Sequence, residues 1–171
     1  MFSSLINKIP NRRPRSEVLI AFALCSLLLG LFYYWLLRAP DSALLLSVIP
    51  ENRSIAVDPS LAASLGWLPT FLHVFTFSIL TVLVLGDRTI NFSCALWAIV
   101  NAGFEIGQAL PADLIVGLPE FLNLHQYLVS GTFSYLDLMA CLLGAVAAWL
   151  LLGSISSGPS QKQSDHEMAL R

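Results

Sequence analysis

Four long apolar stretches dominate the sequence and limit how the chain can fold. They cover residues 18–37, 68–85, 90–110 and 135–152. A bilayer core about 30 Å thick is crossed by about 20 helical residues, so each stretch is long enough to span it. Within hydrocarbon, the backbone polar groups must be satisfied inside the segment, which requires helices. The sequence therefore predicts an all-α fold, a four-helix transmembrane bundle.

Charged residues are scarce, and this narrows the class of protein further. Only 12% of the residues are charged, about half the share in a typical soluble domain, and the mean hydropathy is +0.73. This composition excludes a disordered chain, a nucleic-acid-binding protein and an ordinary cytosolic enzyme. We divide the chain into a cytoplasmic N-terminal segment (1–17), a four-helix membrane domain (18–153) and a disordered cytoplasmic tail rich in Ser and Gln (154–171).

The distribution of lysine and arginine predicts the orientation of the helices. Seven of the nine basic residues lie before the first helix, between the second and third, or after the fourth. Only Arg38 and Arg53 lie at the opposite ends. Cytoplasmic loops carry the excess of these residues, so we expect a multi-pass protein with both termini in the cytoplasm.

Two segments on the predicted outer side are longer than a simple connection requires. Residues 38–66 and 111–132 each contain short apolar runs, at 44–49 and 121–124 for example. These runs are too apolar for free loops and too short to span a bilayer. We expect short interfacial helices in both external segments, or a shallow re-entrant segment.

Three ionisable side chains and one amide interrupt the apolar stretches near their outer ends: His73, Glu105, Asp137 and Gln108. Ionisable residues inside membrane helices are energetically costly and are functional candidates by default. Two of the four follow the starts of the second and fourth helices, and two precede the end of the third. At about 1.5 Å per residue, all four lie roughly 3–10 Å beneath the outer surface. We therefore expect them to form a ligand-binding polar pocket.

Residue spacing indicates which helix faces meet around this pocket. Glu105 and Gln108 are three residues apart and share a face, and Asp137 shares a face with two small residues that follow it. Small residues let neighbouring helices approach closely, and the third helix carries a small-x-x-x-small pair. The predicted helix-packing residues are Gly103, Gly107, Cys141 and Gly144.

Each polar residue also has a purely structural explanation. Asp137 follows Ser134 with the spacing of a capping box, so it is also consistent with a helix cap. His73 alone is consistent with a hydrogen-bonded packing residue, and Gln108 with contact to headgroups. Glu105 is the hardest to explain this way, because a lone carboxylate two turns deep needs a partner or a proton.

The order and spacing of these residues resemble those of the VanZ-like family, small four-helix bacterial membrane proteins. The family pattern has a His early in the second helix, a Glu-x-x-Gln at the end of the third, and an Asp followed by a Gly seven residues later in the fourth. Here these are His73, residues 104–108 and residues 137–144, preceded by a similar lead-in at 131–133. The chain has Cys141 where an amide is expected, and it lacks an Arg that the family often carries before the Asp.

The resemblance implies a four-helix protein of the plasma membrane that belongs to the cell envelope. It covers residues 18–153, and the founding relatives are associated with resistance to the glycopeptide antibiotic teicoplanin. On this basis the leading hypothesis is that the pocket binds a lipid headgroup or a lipid-linked envelope precursor. Other membrane subunits are possible partners.

Two other functions stay open at this point. One is a membrane enzyme in which His73 and either Glu105 or Asp137 act as acid and base on a lipid-linked group. The other is a structural subunit whose polar residues only hold the helices together. No metal-binding motif such as His-Glu-x-x-His occurs and no cysteines form a C-x-x-C pair, so we expect neither a metal nor another cofactor.

Overall fold

The computed structural model describes residues 13–37, 59–111, 114, 128 and 131–156, and within these ranges it is helical with no strand. The helices are α1 (Arg13–Leu37), α2 (Pro59–Ser64), α3 (Leu68–Leu85), α4 (Ile90–Gln108) and α5 (Tyr135–Ser156), with a 3-10 turn (Asp87–Thr89) leading into α4. Four of them, α1, α3, α4 and α5, are long and apolar enough to cross a membrane. The predicted all-α, four-helix membrane architecture is therefore confirmed.

The helix ends differ from the predicted ones by a few residues. The first helix begins at Arg13 rather than residue 18, because Pro14 is tolerated in a first turn and nothing between it and the apolar stretch breaks a helix. The fourth membrane helix, α5, continues to Ser156 rather than ending at residue 152. The first residues of the predicted tail, 154–156, are therefore helical. Residues 1–12, 38–58, 157–171 and most of 111–132 lie outside the described residues, together with the predictions made for them, which include most of both external segments.

Helix α3 occupies the centre of the bundle. It packs against α1, α4 and α5, and α5 also packs against α4. Towards the end of the bundle where α1 begins, buried side chains from all four membrane helices form one apolar core: Leu19, Ala23, Ile79, Val82, Cys94, Ala148 and Leu152. On the outside of α1, by contrast with this buried core, large apolar side chains such as Leu28 and Phe32 are exposed. An apolar exterior of this kind suits a hydrocarbon environment.

Hydrogen bonds between side chains link the helices at several depths. The Thr76 hydroxyl donates to the Ser26 hydroxyl at 2.7 Å, joining α3 to α1. The indole of Trp97 donates to Thr81 Oγ1 at 2.8 Å, joining α4 to α3. Interhelical hydrogen bonds of this kind contribute about 0.6–2 kcal/mol each in membranes.

The ends of the helices opposite the polar residues are also tied together. The Trp149 indole donates to Asn91 Oδ1 at 2.9 Å, which joins α5 to α4. An ion pair of 2.9 Å connects Arg15 at the start of α1 to Asp87 in the turn between α3 and α4. One end of the bundle therefore contains the starts of α1 and α4 and the ends of α3 and α5. This is the arrangement expected when successive membrane helices run in alternating directions.

Helices α3 and α5 make their closest approach at Gly144. A Cβ atom at this position would lie 2.7 Å from the backbone oxygen of Phe71 and 3.2 Å from the Cβ of Val74. The first distance is too short for any side chain and involves backbone that cannot move aside cheaply. Gly144 therefore allows the two helices to pack backbone against backbone.

We expect Gly144→Ala to lower the free energy of unfolding by about 1–3 kcal/mol, because the added methyl group forces α3 and α5 apart. Gly153→Ala in the same helix is the matched control, since no described atom lies within 4 Å of a Cβ built there. The measurement is thermal unfolding of both purified variants in detergent. Equal stability of the two variants would contradict the close approach at Gly144.

Candidate functional site

Polar side chains from three helices come together at the end of the bundle where α3 and α5 begin and α4 ends. Thr70 lies in the first turn of α3, Glu105 and Gln108 lie at the end of α4, and Asp137 lies in the first turn of α5. Ser134 immediately precedes α5, and Cys141 lies one turn after Asp137. We call these residues the polar cluster: Thr70, Glu105, Gln108, Ser134, Asp137 and Cys141.

Glu105 is the more deeply buried of the two acidic residues of the cluster and is only 7% exposed. The carboxylate of Asp137 and the backbone N–H of Ser134 both lie close enough to interact with its carboxylate. Its atom Oε2 is buried and has no hydrogen-bond partner among the described residues. Buried polar atoms are nearly always hydrogen-bonded, because burying one without a partner costs up to several kcal/mol. Water or a ligand that reaches the atom removes this cost. This oxygen therefore marks Glu105 as a candidate ligand-binding residue.

Asp137 lies in a first turn that Ser134 caps, and its side chain joins the cluster. Its backbone N–H lies 3.4 Å from the Ser134 hydroxyl oxygen and 3.2 Å from the Ser134 carbonyl oxygen, which is the expected geometry of a capped first turn. Its Oδ1 atom accepts a long hydrogen bond of 3.4 Å from the Thr70 hydroxyl of α3. The two explanations that the sequence left open for Asp137 are therefore compatible with each other.

Cys141 lies beneath the two carboxylates. It is 1% exposed and close enough to Glu105 and Asp137 to interact with both electrostatically. A cysteine at this position is small and weakly polar, so it fills the space below the carboxylates and offers them at most a weak S–H donor.

Gln108 is held by contact with the chain that leads into α5. Its side chain packs so closely on Gly131 that a Cβ there would lie 2.4 Å from the Gln108 Cδ atom. Gly107, one residue earlier in α4, packs against Leu128 in a similar way. A Cβ atom at Gly107 would lie 2.9 Å from a methyl carbon of Leu128. Gly131 is therefore needed for the position of Gln108, a role that residue spacing within helices did not reveal.

Gly103 and His73 are placed differently from these residues. Gly103 is exposed, and no described atom lies within 4 Å of a Cβ built there. Of the two glycines predicted to pack together against a neighbour, Gly103 and Gly107, only Gly107 makes a close contact among the described residues. His73 is also exposed, and its ring lies 6.0 Å from that of Phe77 on the same helix. No described contact joins His73 to Glu105 or Asp137.

The direction of His73 has a simple geometric reason. Thr70 and Val74 are four residues apart on α3, and both face α5. The neighbouring position 73 is rotated away from that face by the helical repeat. The structure thus brings Glu105 and Asp137 together, while Gln108 lies at the same end of α4 against Gly131. It adds Thr70 and Ser134, which are not ionisable and were not among the predicted pocket residues.

An apolar groove lies next to the polar cluster, between α3 and α5. It has a volume of about 350 Å³ and is lined by Trp67, Leu68, Phe71, Leu143, Val146, Ala147 and Leu150. Phe71 directly follows Thr70, whose hydroxyl bonds to Asp137. The groove and the cluster therefore both involve the first turn of α3.

The arrangement of the cluster does not point to a bound metal ion. Among the described residues, no three His, Cys, Asp or Glu side chains are grouped in a way that could hold one. What the cluster offers instead is a set of oxygen atoms that accept hydrogen bonds, from Glu105, Asp137 and Gln108. Such a set is suited to a ligand that donates hydrogen bonds.

Comparisons of the chain with family models, with curated proteins and with solved structures find no match in any of the three. The fold and the polar cluster are consequently the basis for the functional proposal below.

Replacing Glu105 by glutamine is expected to stabilise the ligand-free protein by about 1 kcal/mol. The amide keeps the shape of the side chain, removes the repulsion between two neighbouring carboxylates, and provides N–H groups that can donate to Asp137. The measurement is the midpoint of thermal unfolding in lipid-free detergent. Glu17→Gln, which changes an exposed glutamate of α1, is the control and should differ little from the wild type.

A decrease in stability for Glu105→Gln would contradict this expectation. It would show that the Glu105 carboxylate already has satisfactory partners within the protein, so that Oε2 does not depend on a ligand.

Proposed function

We propose that this multi-pass membrane protein belongs to the cell envelope and binds the headgroup of a lipid, or of a lipid-linked envelope precursor, in its polar cluster. The observation that carries the proposal is the buried, unpartnered Oε2 atom of Glu105 beside Asp137. If Glu105 binds a ligand, its Oε2 atom has no partner while the ligand is absent. If Glu105 were purely structural, we would expect this oxygen to accept a hydrogen bond from within the protein.

The depth of the cluster supports a headgroup as the ligand. Its residues lie in the first two turns or the last turn of membrane-spanning helices, or directly before such a helix, roughly 10 Å or less from the helix ends. Lipid headgroups meet acyl chains at this depth. With both termini in the cytoplasm, as the excess of basic residues there implies, the cluster faces the outer leaflet of the plasma membrane.

The groove between α3 and α5 supports a ligand with an apolar tail. It is lined only by apolar side chains and begins next to Thr70. Trp67 lies at its outer end, where tryptophan is common at the boundary between headgroups and hydrocarbon. A lipid whose headgroup contacts Asp137 and Glu105 can therefore place an acyl chain along Phe71.

The resemblance to the VanZ-like family supports the cellular setting of the proposal. Two of its motif residues, Glu105 and Asp137, interact in the cluster. A third, Gln108, lies at the same end of α4, whereas His73 is exposed on α3. An envelope protein of this type, associated with glycopeptide resistance, would act on or respond to lipid-linked material at the outer face of the membrane.

A structural role is the second candidate, and one observation favours it. The hydrogen bond between Thr70 and Asp137 joins α3 to α5 directly, as expected for residues that hold helices together. Acid-base catalysis has less support, because a catalytic pair must lie within hydrogen-bonding reach and no described contact joins His73 to either carboxylate.

Lipid retention distinguishes the binding role from the structural one. We expect native mass spectrometry of gently extracted protein to show a co-purifying lipid, and Glu105→Ala to reduce its occupancy at least tenfold. Glu17→Ala is the control and should retain the lipid. Equal occupancy in all three proteins, or no bound lipid in the wild type, would contradict the proposal and favour the structural role.

The proposed orientation is tested separately with reporter fusions at the C-terminus. Green fluorescent protein fused after Arg171 should fluoresce, because it folds in the cytoplasm, and alkaline phosphatase at the same place should be inactive. An active phosphatase with a dark fluorescent protein would place the C-terminus outside and the polar cluster at the cytoplasmic leaflet.

A further inference from the structure

The end of the bundle that holds the polar cluster is poor in permanent positive charge. The sequence contains no Lys or Arg between Arg88 and Lys162, so α4, α5 and the chain between them provide none. Among the described residues at this end, Glu105 and Asp137 are the acidic side chains, and no Lys or Arg is present. Binding sites for phosphate or carboxylate groups usually rely on Arg or Lys. The charge at this end of the protein favours a cationic ligand group instead.

The two carboxylates of the cluster differ in how well the protein stabilises them. Asp137 lies in the first turn of α5, at the positive end of the helix dipole, and accepts a hydrogen bond from Thr70. Glu105 lies in the last turn of α4, at the negative end of that helix, and has Asp137 nearby. Glu105 therefore has the greater need for an external positive group.

The two carboxylates of the cluster offer oxygen acceptors to such a group. Oε2 of Glu105 is buried without a partner among the described residues, and the neighbouring Asp137 carboxylate provides further oxygen atoms. A primary ammonium group has three N–H donors. Its hydrogen bonds to carboxylates are charge-assisted, and these are roughly twice as strong as neutral ones.

We infer that the headgroup bound in the polar cluster carries a primary amine, and that the carboxylate of Glu105 binds this amine with the help of Asp137. The inference rests on the proposed function and specifies its ligand class. Because a quaternary ammonium group donates no N–H, the site should discriminate against choline headgroups. Because an acetylated amine has lost its charge, acetylation of the amine should also prevent binding.

The experiment uses the full chain, purified in lipid-free detergent and titrated with four short-chain phospholipids. These are phosphatidylethanolamine, its N-acetylated form, phosphatidylcholine and phosphatidylglycerol, and native mass spectrometry measures the bound fraction. We expect phosphatidylethanolamine to bind at least tenfold more tightly than the other three. Glu105→Gln should abolish this preference, and Glu17→Gln should preserve it.

A further arm identifies the source of the amine. Glycerophosphoethanolamine has the same headgroup without acyl chains, so weaker binding of this soluble compound supports a membrane lipid as the ligand. If glycerophosphoethanolamine binds as tightly as phosphatidylethanolamine, recognition of the amine is supported but the ligand is water-soluble. The groove between α3 and α5 then has no part in the proposal.

The outcomes separate the amine from the proposed function. Binding that depends on Glu105 but is equal for the four phospholipids would overturn the amine and leave headgroup binding intact. No binding that depends on Glu105 would overturn both. Amine preference that persists in Glu105→Gln would overturn the assignment to Glu105. If this variant does not fold, the wild-type preference alone decides, since its absence overturns the inference.

Discussion

The direct contact between α3 and α5 at Gly144 determines the geometry of the polar end of the bundle. Because the glycine lies against the Phe71 backbone, the first turns of both helices are close enough for the Thr70 hydroxyl to reach Asp137. The same approach directs Asp137 and Cys141 towards α4, where they meet Glu105. A larger residue at position 144 would separate the helices and change every distance within the cluster.

Some polar groups of this protein are complete within the bundle, while others, such as Ser78 Oγ and Glu105 Oε2, are buried without a partner among the described residues. The pairs Thr76–Ser26 and Trp97–Thr81 are complete within the bundle, since each donor has an acceptor on the neighbouring helix. They stabilise the packing of helices in a medium where unpaired polar groups are costly. Glu105 is different, because one of its oxygens is buried beside another carboxylate and has no partner in the described chain. In the proposed function, this oxygen is the one that binds a ligand.

The sequence was sufficient to predict the number of membrane helices and the depth of each polar residue. Both follow from the ends of the apolar stretches and the rise per residue, and Glu105, Gln108 and Asp137 indeed lie at one end of the bundle. The direction around a helix axis was harder to predict. His73 has the right depth but lies on an exposed side of α3, because the face towards α5 is set by which residues fit against Gly144. The role of Gly131 depends on a contact with Gln108 that is distant along the chain, so no local pattern could reveal it.

The groove beside the cluster has walls from α3 and α5 alone among the described residues. A molecule dissolved in the bilayer reaches such a groove sideways, and neither helix has to move for it to arrive or leave. Exchange is then governed by diffusion in two dimensions, within a solvent that consists largely of candidate ligands. If the groove binds an acyl chain as proposed, even a weak intrinsic preference keeps it filled under these conditions. Selectivity among lipids would then be decided at the carboxylates and not along the acyl chains.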